Sequence, residues 1–349
     1  MGVLQQVDTC ADHVLVTRIL SLRLLLAFAL LVPLSASNHT PTAAGGSLPI
    51  GYHSGVSAQK LVPQRGALLG AFVNPDNTWR GNDDTFAKVQ AFESLIGRRL
   101  DVDLHYYAWD NVFPSGLEQW DIAGGRIPLI TWYGTKLDDI NSGAEDVLIR
   151  ARAAGVRKLG APVFIRWGWE MNGDWYPHSG PQNMPDGPAK FIEAWRRIHR
   201  LFDEAGATNA VWVWSPNFES KPKAAWNSWR NYYPGDEFVD WVGIDAYNWG
   251  TTQRWSGWRS LDDLVKPIYT RFAARKPIMI AETASAEVGG SKARWIHDAA
   301  RAISRDLLGV KALVWFDVDK ETDWRVDSSA HALAAFRELA QHPYFRVAG

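Results

Sequence analysis

Eight apolar runs of strand length, spaced widely enough for a helix to fit between most of them, constrain this chain more than any other feature. They fall at 68–73, 102–106, 127–131, 163–167, 210–214, 239–244, 277–281 and 312–316. Helical spacing of apolar residues fills most of the gaps, most clearly at 86–96, 145–159, 189–205, 261–274, 292–307 and 330–339. The intervals after Tyr106 and Trp214 carry Pro and Gly and read as loop-rich. Near-continuous apolar strands alternating with helices require a parallel sheet covered on both faces. Eight such units over roughly 280 residues suit an α/β chain folded as a (β/α)8 TIM barrel, whose ordinary size is about 250. A doubly wound open sheet is the competing arrangement. The first strand, however, leads into GAFVNPDNTW and not into a Gly-rich phosphate loop. The expected organisation is a single barrel domain over 67–345.

Ahead of the barrel, residues 38–66 are rich in Ser, Gly, Pro and Thr and read as a linker or loose N-terminal arm. Residues 1–37 have the order of a signal peptide. Arg18 and Arg23 precede an apolar stretch at 24–34, and Ser35-Ala36-Ser37 supplies small residues for cleavage. That stretch is well short of the roughly 20 residues that span a bilayer, so cleavage is favoured over retention as an anchor. Asp8 and Asp12 acidify the region ahead of it, which fits a translation start near Val14 or Val16. The single cysteine, Cys10, would leave with the signal, excluding disulfides, cysteine-ligated metals and a cysteine nucleophile from the exported chain. The expectation is a secreted monomer with no membrane attachment after cleavage.

A net charge of −1 gives no electrostatic reason for a nucleic-acid or anionic-membrane partner and is compatible with a neutral substrate. The 19 tryptophans outnumber both the 10 tyrosines and the 14 phenylalanines. Indoles pack cores well, and their flat faces also match the C–H faces of sugar rings. Both uses remain open on composition alone.

Active sites of such barrels form at the C-terminal ends of the strands. After the fourth run stands Trp169-Glu170-Met171-Asn172-Gly173-Asp174-Trp175, and after the sixth Asp245-Ala246-Tyr247-Asn248-Trp249. The seventh leads into Glu282-Thr283-Ala284-Ser285 and the eighth into Asp317-Val318-Asp319. Glu170 and Glu282 thus lie just beyond strands four and seven, whose ends can share one cleft. Two carboxylates are what glycosidic cleavage needs: one protonates the leaving oxygen, the other captures or stabilises the oxocarbenium-like centre. A salt bridge to a loop is the alternative role for either glutamate taken alone.

FIRWGWEMNGDWYP, VGIDAY and KPIMIAETAS together resemble glycoside hydrolase family 26, best known for endo-β-mannanases. The likeness runs from about Leu68 to Val326 and includes GRRLDVDLHYYAW, GRIPLITW and ALVWFDVDKETDWRV. The resemblance implies a retaining enzyme acting on a polysaccharide or oligosaccharide, with Glu170 as acid/base and Glu282 as nucleophile. It implies that Tyr247 hydrogen-bonds the nucleophile, that Trp175 lines the cleft and that Trp315 forms a platform beneath the sugar. Arg166 fits the arginine of the fourth-strand motif, either holding the nucleophile ionised or serving as a structural ion pair; Trp315 is otherwise core. His105 either reaches substrate or is a satisfied core histidine, and His178 either lines the cleft or is a plain loop residue. One position departs from the pattern. Mannan-cleaving members commonly place His directly before the acid/base, where this chain has Trp169, and an indole cannot accept a hydrogen bond.

The expected chemistry is double displacement, with carboxyl groups about 5–5.5 Å apart, a raised pKa at Glu170 and a depressed one at Glu282. Endo-β-1,4-mannanase is the first substrate reading. Mixed-linkage β-1,3-1,4-glucan or β-1,3-xylan are the alternatives, to be decided by loops at 134–143, 177–187 and 248–257. A transglycosylase, a non-catalytic sugar-binding barrel and a metal-dependent hydrolase are the rival functions. No metal-ligand spacing and no HExxH motif is found, so neither metal nor cofactor is expected.

Overall fold

The computed structural model describes residues 60–347. Its eight strands close in chain order into a parallel barrel: β1 (Leu68–Asn74), β2 (Val102–Tyr107), β3 (Ile127–Trp132), β4 (Val163–Trp167), β5 (Ala210–Trp214), β6 (Trp241–Asn248), β7 (Ile278–Ser285) and β8 (Val310–Val318). Around it lie α1 (Asn82–Ile96), α2 (Leu117–Ala123), α3 (Leu137–Ser142), α4 (Asp146–Leu159), α5 (Gly187–Glu204), α6 (Leu261–Phe272), α7 (Lys292–Arg305) and α8 (Ala330–Gln341). The (β/α)8 expectation is met in architecture. The signal segment 1–37 and residues 38–59 of the arm lie outside the described residues. Residues 60–66, read from composition as the end of a loose arm, are packed: Leu61 is wholly buried and the Trp241 indole donates to the Lys60 carbonyl at 2.6 Å. No helix among the described residues is long and apolar enough to cross a membrane.

Each strand sends alternate side chains to opposite faces. Leu68, Val102, Leu104, Leu129, Phe164, Val213, Met279, Ala312 and Val314 fill the barrel interior. Leu69, Ile130, Ile165, Trp212, Ile244, Ile280, Leu313 and Trp315 pack outward among the helices. Gly70 is required at its inward position, since a Cβ there would stand 2.7 Å from the Val102 carbonyl oxygen. Ser260, Ser291 and Ser329 cap α6, α7 and α8 by accepting a first-turn amide N–H, each cap contributing about 1 kcal/mol.

The loop-rich reading of the interval after β5 is met, and one difference from the sequence reading matters for the site. The interval after β5 forms only three short 3-10 turns, Ala225–Asn227, Trp229–Tyr232 and Asp236–Phe238, where Pro222 and Pro234 interrupt helical continuity. The difference is that strands β6 and β7 continue through Asp245, Tyr247 and Glu282, so Glu282 lies within a strand and not beyond it. Ile244 pairs with Ile280, yet Asp245 pairs with Glu282; on the other edge Ile280 pairs with Leu313, yet Thr283 pairs with Trp315. Strand β7 therefore carries one extra residue at Ala281–Glu282. That bulge puts Ala281 and Glu282 both on the inner side, and without it alternation would send Glu282 to the helices.

Candidate active site

Glu282 is 6% exposed at the mouth of the barrel. The Tyr106 hydroxyl donates to its Oε1 at 2.5 Å, the Tyr247 hydroxyl to its Oε2 at 2.8 Å, and the Arg166 guanidinium also donates to Oε1. All three groups donate, so each contact draws on an acceptor lone pair of Glu282. Burial and the neighbouring Glu282 charge push both tyrosine hydroxyls well above their ordinary range, so they remain donors.

Arg166 comes from β4, whose alternation places Phe164 and Arg166 inward, and it is fully buried. It donates through Nη1 to Asp245 Oδ1 at 2.9 Å and through Nε to Thr131 Oγ1 at 3.1 Å. Ser215 Oγ supplies a second donor to the same Asp245 oxygen at 2.9 Å. Burial works against the guanidinium charge, but Asp245 and Glu282 outweigh it and hold Arg166 above its ordinary value. The two readings left open for Arg166 are thus one arrangement: a buried ion pair with Asp245 that also fixes Glu282.

Glu170 stands on the turn after β4, where Gly168 (φ 59°) and Glu170 itself (φ 52°) both take left-handed backbone. For a non-glycine residue this costs on the order of 1–3 kcal/mol. The turn is held by the Glu170 amide donating to the Ser215 carbonyl at 2.7 Å and by Gly173 N–H donating to the Glu170 carbonyl at 2.8 Å. Asn217 Nδ2 donates to Oε1 at 2.5 Å and Trp175 Nε1 to Oε2 at 2.9 Å. Burial foremost, then the charge of Glu282, pushes the Glu170 carboxyl up to about 7. Asn217, Trp175 and Arg166 pull in the opposite direction.

The other sequence candidates divide. Tyr247 and Trp175, both half-buried, each touch one glutamate. Trp169 is 1% exposed and packs against Tyr106, Tyr133 and Tyr176, with the Arg166 guanidinium 5.4 Å over its ring. It builds the wall behind the glutamates. His178 is buried, accepts from Gly134 N–H at Nδ1 and bonds the Trp169 carbonyl through Nε2, so it fixes that wall and does not line the cleft. Burial lowers its pKa to about 4, leaving it neutral.

Two candidates are corrected. Trp315 is no sugar platform: its strand parity turns it outward, where it packs edge-on against Trp295 and Phe336 and donates to the Trp324 carbonyl at 3.0 Å. Phe316, the next residue, faces inward against Phe72 and Tyr247. His105 likewise faces away from the mouth, 4% exposed and 2.7 Å from Asp121 Oδ2 on α2.

Sequence reasoning missed Tyr106, Asn217 and Ser215. For Tyr106 the signal was available, since Val102 and Leu104 point inward and period two places Tyr106 with them. It also missed how the rim continues. Trp249 sits 6.5 Å from Tyr247 and 5.4 Å from the exposed Trp255, within the segment 248–257.

The mouth thus holds one carboxylate fixed by three donors and a second carboxyl that can carry or release a proton near neutrality. That pair can attack one atom while protonating another. The sequence profile of Glycosyl hydrolase family 26 matches residues 133–295. Endoglucanase H of Acetivibrio thermocellus is 40% identical over 269 residues, covering 74% of this chain and 29% of its own length. A mannan endo-1,4-beta-mannosidase of Bacillus subtilis is 30% identical over 143 residues, covering 39% of this chain and 37% of its own. The chain therefore spans about a third of the length of these relatives. Among solved structures, the catalytic domain of an endo-beta-1,4-mannanase from Bacillus sp. JAMB-750 is similar in fold, with a TM-score of 0.64 and 16% identity over 84% of this chain and 92% of that one.

Proposed function

Starting from a chain that belongs to glycoside hydrolase family 26, we propose a retaining hydrolase of β-linked glycans, with Glu282 as nucleophile and Glu170 as acid/base. The observation that carries this reading is the opposed condition of the two carboxyls, one pinned by Tyr106, Tyr247 and Arg166, the other pushed up to about 7 by burial. In the first step a Glu282 oxygen bonds the anomeric carbon. The bond to the leaving oxygen breaks, and that oxygen takes its electron pair and the Glu170 proton. In the second step Glu170 removes a proton from water, whose oxygen attacks the anomeric carbon and expels Glu282 as carboxylate. Two inversions give net retention.

The substrate reading is a β-glucan, mixed-linkage glucan foremost. The 40% identity to an endoglucanase across 74% of the chain supports it, and so does Trp169 in the place where mannan-cleaving members carry His. Mannan is the second reading, favoured by the 30% match to a mannosidase over 143 residues. Residues 1–37 support secretion as the setting.

Product profiling on mixed-linkage β-glucan, mannan and β-1,3-xylan tests the substrate; faster turnover of mannan would overturn the glucan reading. Aryl glycosides test the roles. Glu170→Ala should keep kcat/KM, which reports the first step, on activated dinitrophenyl leaving groups, which need no proton, and lose it on poor ones, while deglycosylation slows for all. Glu282→Ala should lose both. Equal loss of kcat/KM on every leaving group in Glu170→Ala would refute the acid/base assignment.

A further inference from the structure

Outside the barrel wall, between β2 and α2, three ionisable side chains converge in a place the proposed reaction does not use. Strand β2 turns Leu104 and Tyr106 inward, and therefore Asp103 and His105 outward, where α2 presents Asp121. Asp103 is 1% exposed, His105 4% and Asp121 fully buried. His105 Nε2 lies 2.7 Å from Asp121 Oδ2 and 3.7 Å from Asp103 Oδ2, and one ligand atom from each residue lies within 4.8 Å of the others. Among the described residues no N–H or O–H donor reaches either oxygen of Asp103 or Asp121 Oδ1, and a hydrogen bond between the two carboxyls needs a proton on one of them. Arg126, the nearby cation, is engaged elsewhere: Nε and Nη2 grip both oxygens of Glu93 at 2.7 and 2.6 Å, and the guanidinium lies over Trp120.

Two buried carboxyls that share a single hydrogen bond from His105 are far from satisfied when both are ionised, because a buried charge without partners is costlier than a buried neutral group. We propose that Asp103, His105 and Asp121 form a structural divalent-cation site, suited to Zn²⁺. One imidazole nitrogen and two carboxylate oxygens are a ligand set zinc accepts, with water available as a fourth. Ligands bonded at about 2.0–2.2 Å in a tetrahedron stand about 3.4 Å apart. The observed 2.7 and 3.7 Å bracket that spacing. Ca²⁺ fits poorly, since it takes six to eight oxygens. Two carboxylates and Zn²⁺ sum to zero charge, which removes the burial problem that a bare pair of carboxyls creates. The site would pin α2 to β2, the strand that carries Tyr106 to the nucleophile.

The rival arrangement is a proton shared between Asp103 and Asp121, and the two predict opposite results. The protein is freed of metal with chelator, dialysed, and incubated with Zn²⁺; bound metal is counted by atomic emission and melting followed by calorimetry. The proposal expects one zinc per chain, a melting temperature raised by several degrees, and both effects lost in Asp103→Asn and in His105→Gln. Asp103→Asn removes a buried charge while keeping shape, so without metal it should fold at least as well as the parent. Should either variant fail to fold, the wild-type zinc count and melting shift still decide the matter. Substoichiometric zinc with an unmoved melting temperature, or undiminished binding in a folded Asp103→Asn, would overturn the site.

Discussion

Replacing Trp175 by phenylalanine removes one donor from Glu170 and leaves most of the aromatic surface. The Nε1–Oε2 bond of 2.9 Å is made to the ionised carboxylate, so its loss destabilises the ionised form and raises the pKa. A hydrogen bond to a charged group contributes about 1.5–3 kcal/mol. Because Trp175 is half-buried, water can partly replace it, and the lower end of that range applies. At about 1.36 kcal/mol per unit, about 1.5 kcal/mol moves the pKa by about 1 unit. Glu170, now held at about 7, should titrate near 8. The assay is the pH profile of kcat/KM, which reports ionisations of the free enzyme. Its alkaline limb marks loss of the Glu170 proton and should move up by about 1 unit, while its acid limb stays in place. Asn217→Ala, stripping the other oxygen of its 2.5 Å partner, should move the same limb in the same direction. If activity falls in Trp175→Phe while the alkaline limb stays put, Trp175 serves only as a surface for sugar and the account of how Glu170 is tuned is wrong.

Tyr247→Phe removes one of the three donors to Glu282, and at about 1.5–3 kcal/mol should lower kcat/KM about ten- to hundredfold without loss of folding, checked by thermal melting alongside kinetics. Trp315→Phe should do the reverse, costing about 1–3 kcal/mol in urea unfolding through the orphaned Trp324 carbonyl and leaving kinetics and product profile unchanged. Burial raises Asp317 from 3.8 to about 7. A carboxyl whose folded pKa lies above its unfolded one stabilises fully below the unfolded value and loses that stabilisation as pH rises through the folded one. Unfolding free energy should therefore decline between about pH 4 and 7, and Asp317→Asn should flatten that decline.

The strands were legible because a parallel sheet covered on both faces needs near-continuous apolar runs, and this sequence writes all eight. What the apolar pattern could not mark was where β6 and β7 end, since Asp245, Tyr247 and Glu282 interrupt it while remaining in the ladder. The resemblance put Trp315 beneath the sugar and left His105 open between substrate and core; strand parity, which decides which face a residue serves, settles both as outward-facing. Ala312 and Val314 on one strand, Val102 and Leu104 on the other, already put Phe316 and Tyr106 inside. The cluster of Asp103, His105 and Asp121 had no local signature, because its third member arrives from α2 across a loop.

Both glutamates reach the mouth by breaking a local rule. Strand β7 inserts an extra residue to turn Glu282 inward, and the chain after β4 enters left-handed backbone at Glu170. Neither irregularity lowers the energy of the fold by itself, and each is held by bonds that also serve the carboxyls. Ser215 shows the economy of it: its carbonyl accepts the Glu170 amide while its hydroxyl donates to Asp245, the partner of Arg166. Arg166 in turn joins β4 to β6 and β7 through Asp245 and Glu282. Strain at the acid and the bulge beneath the nucleophile are therefore tied to one buried ion network. That network positions the Glu282 carboxyl and also bears on the Glu170 proton, which is why a change at Arg166 should disturb the geometry of the one and the acidity of the other together.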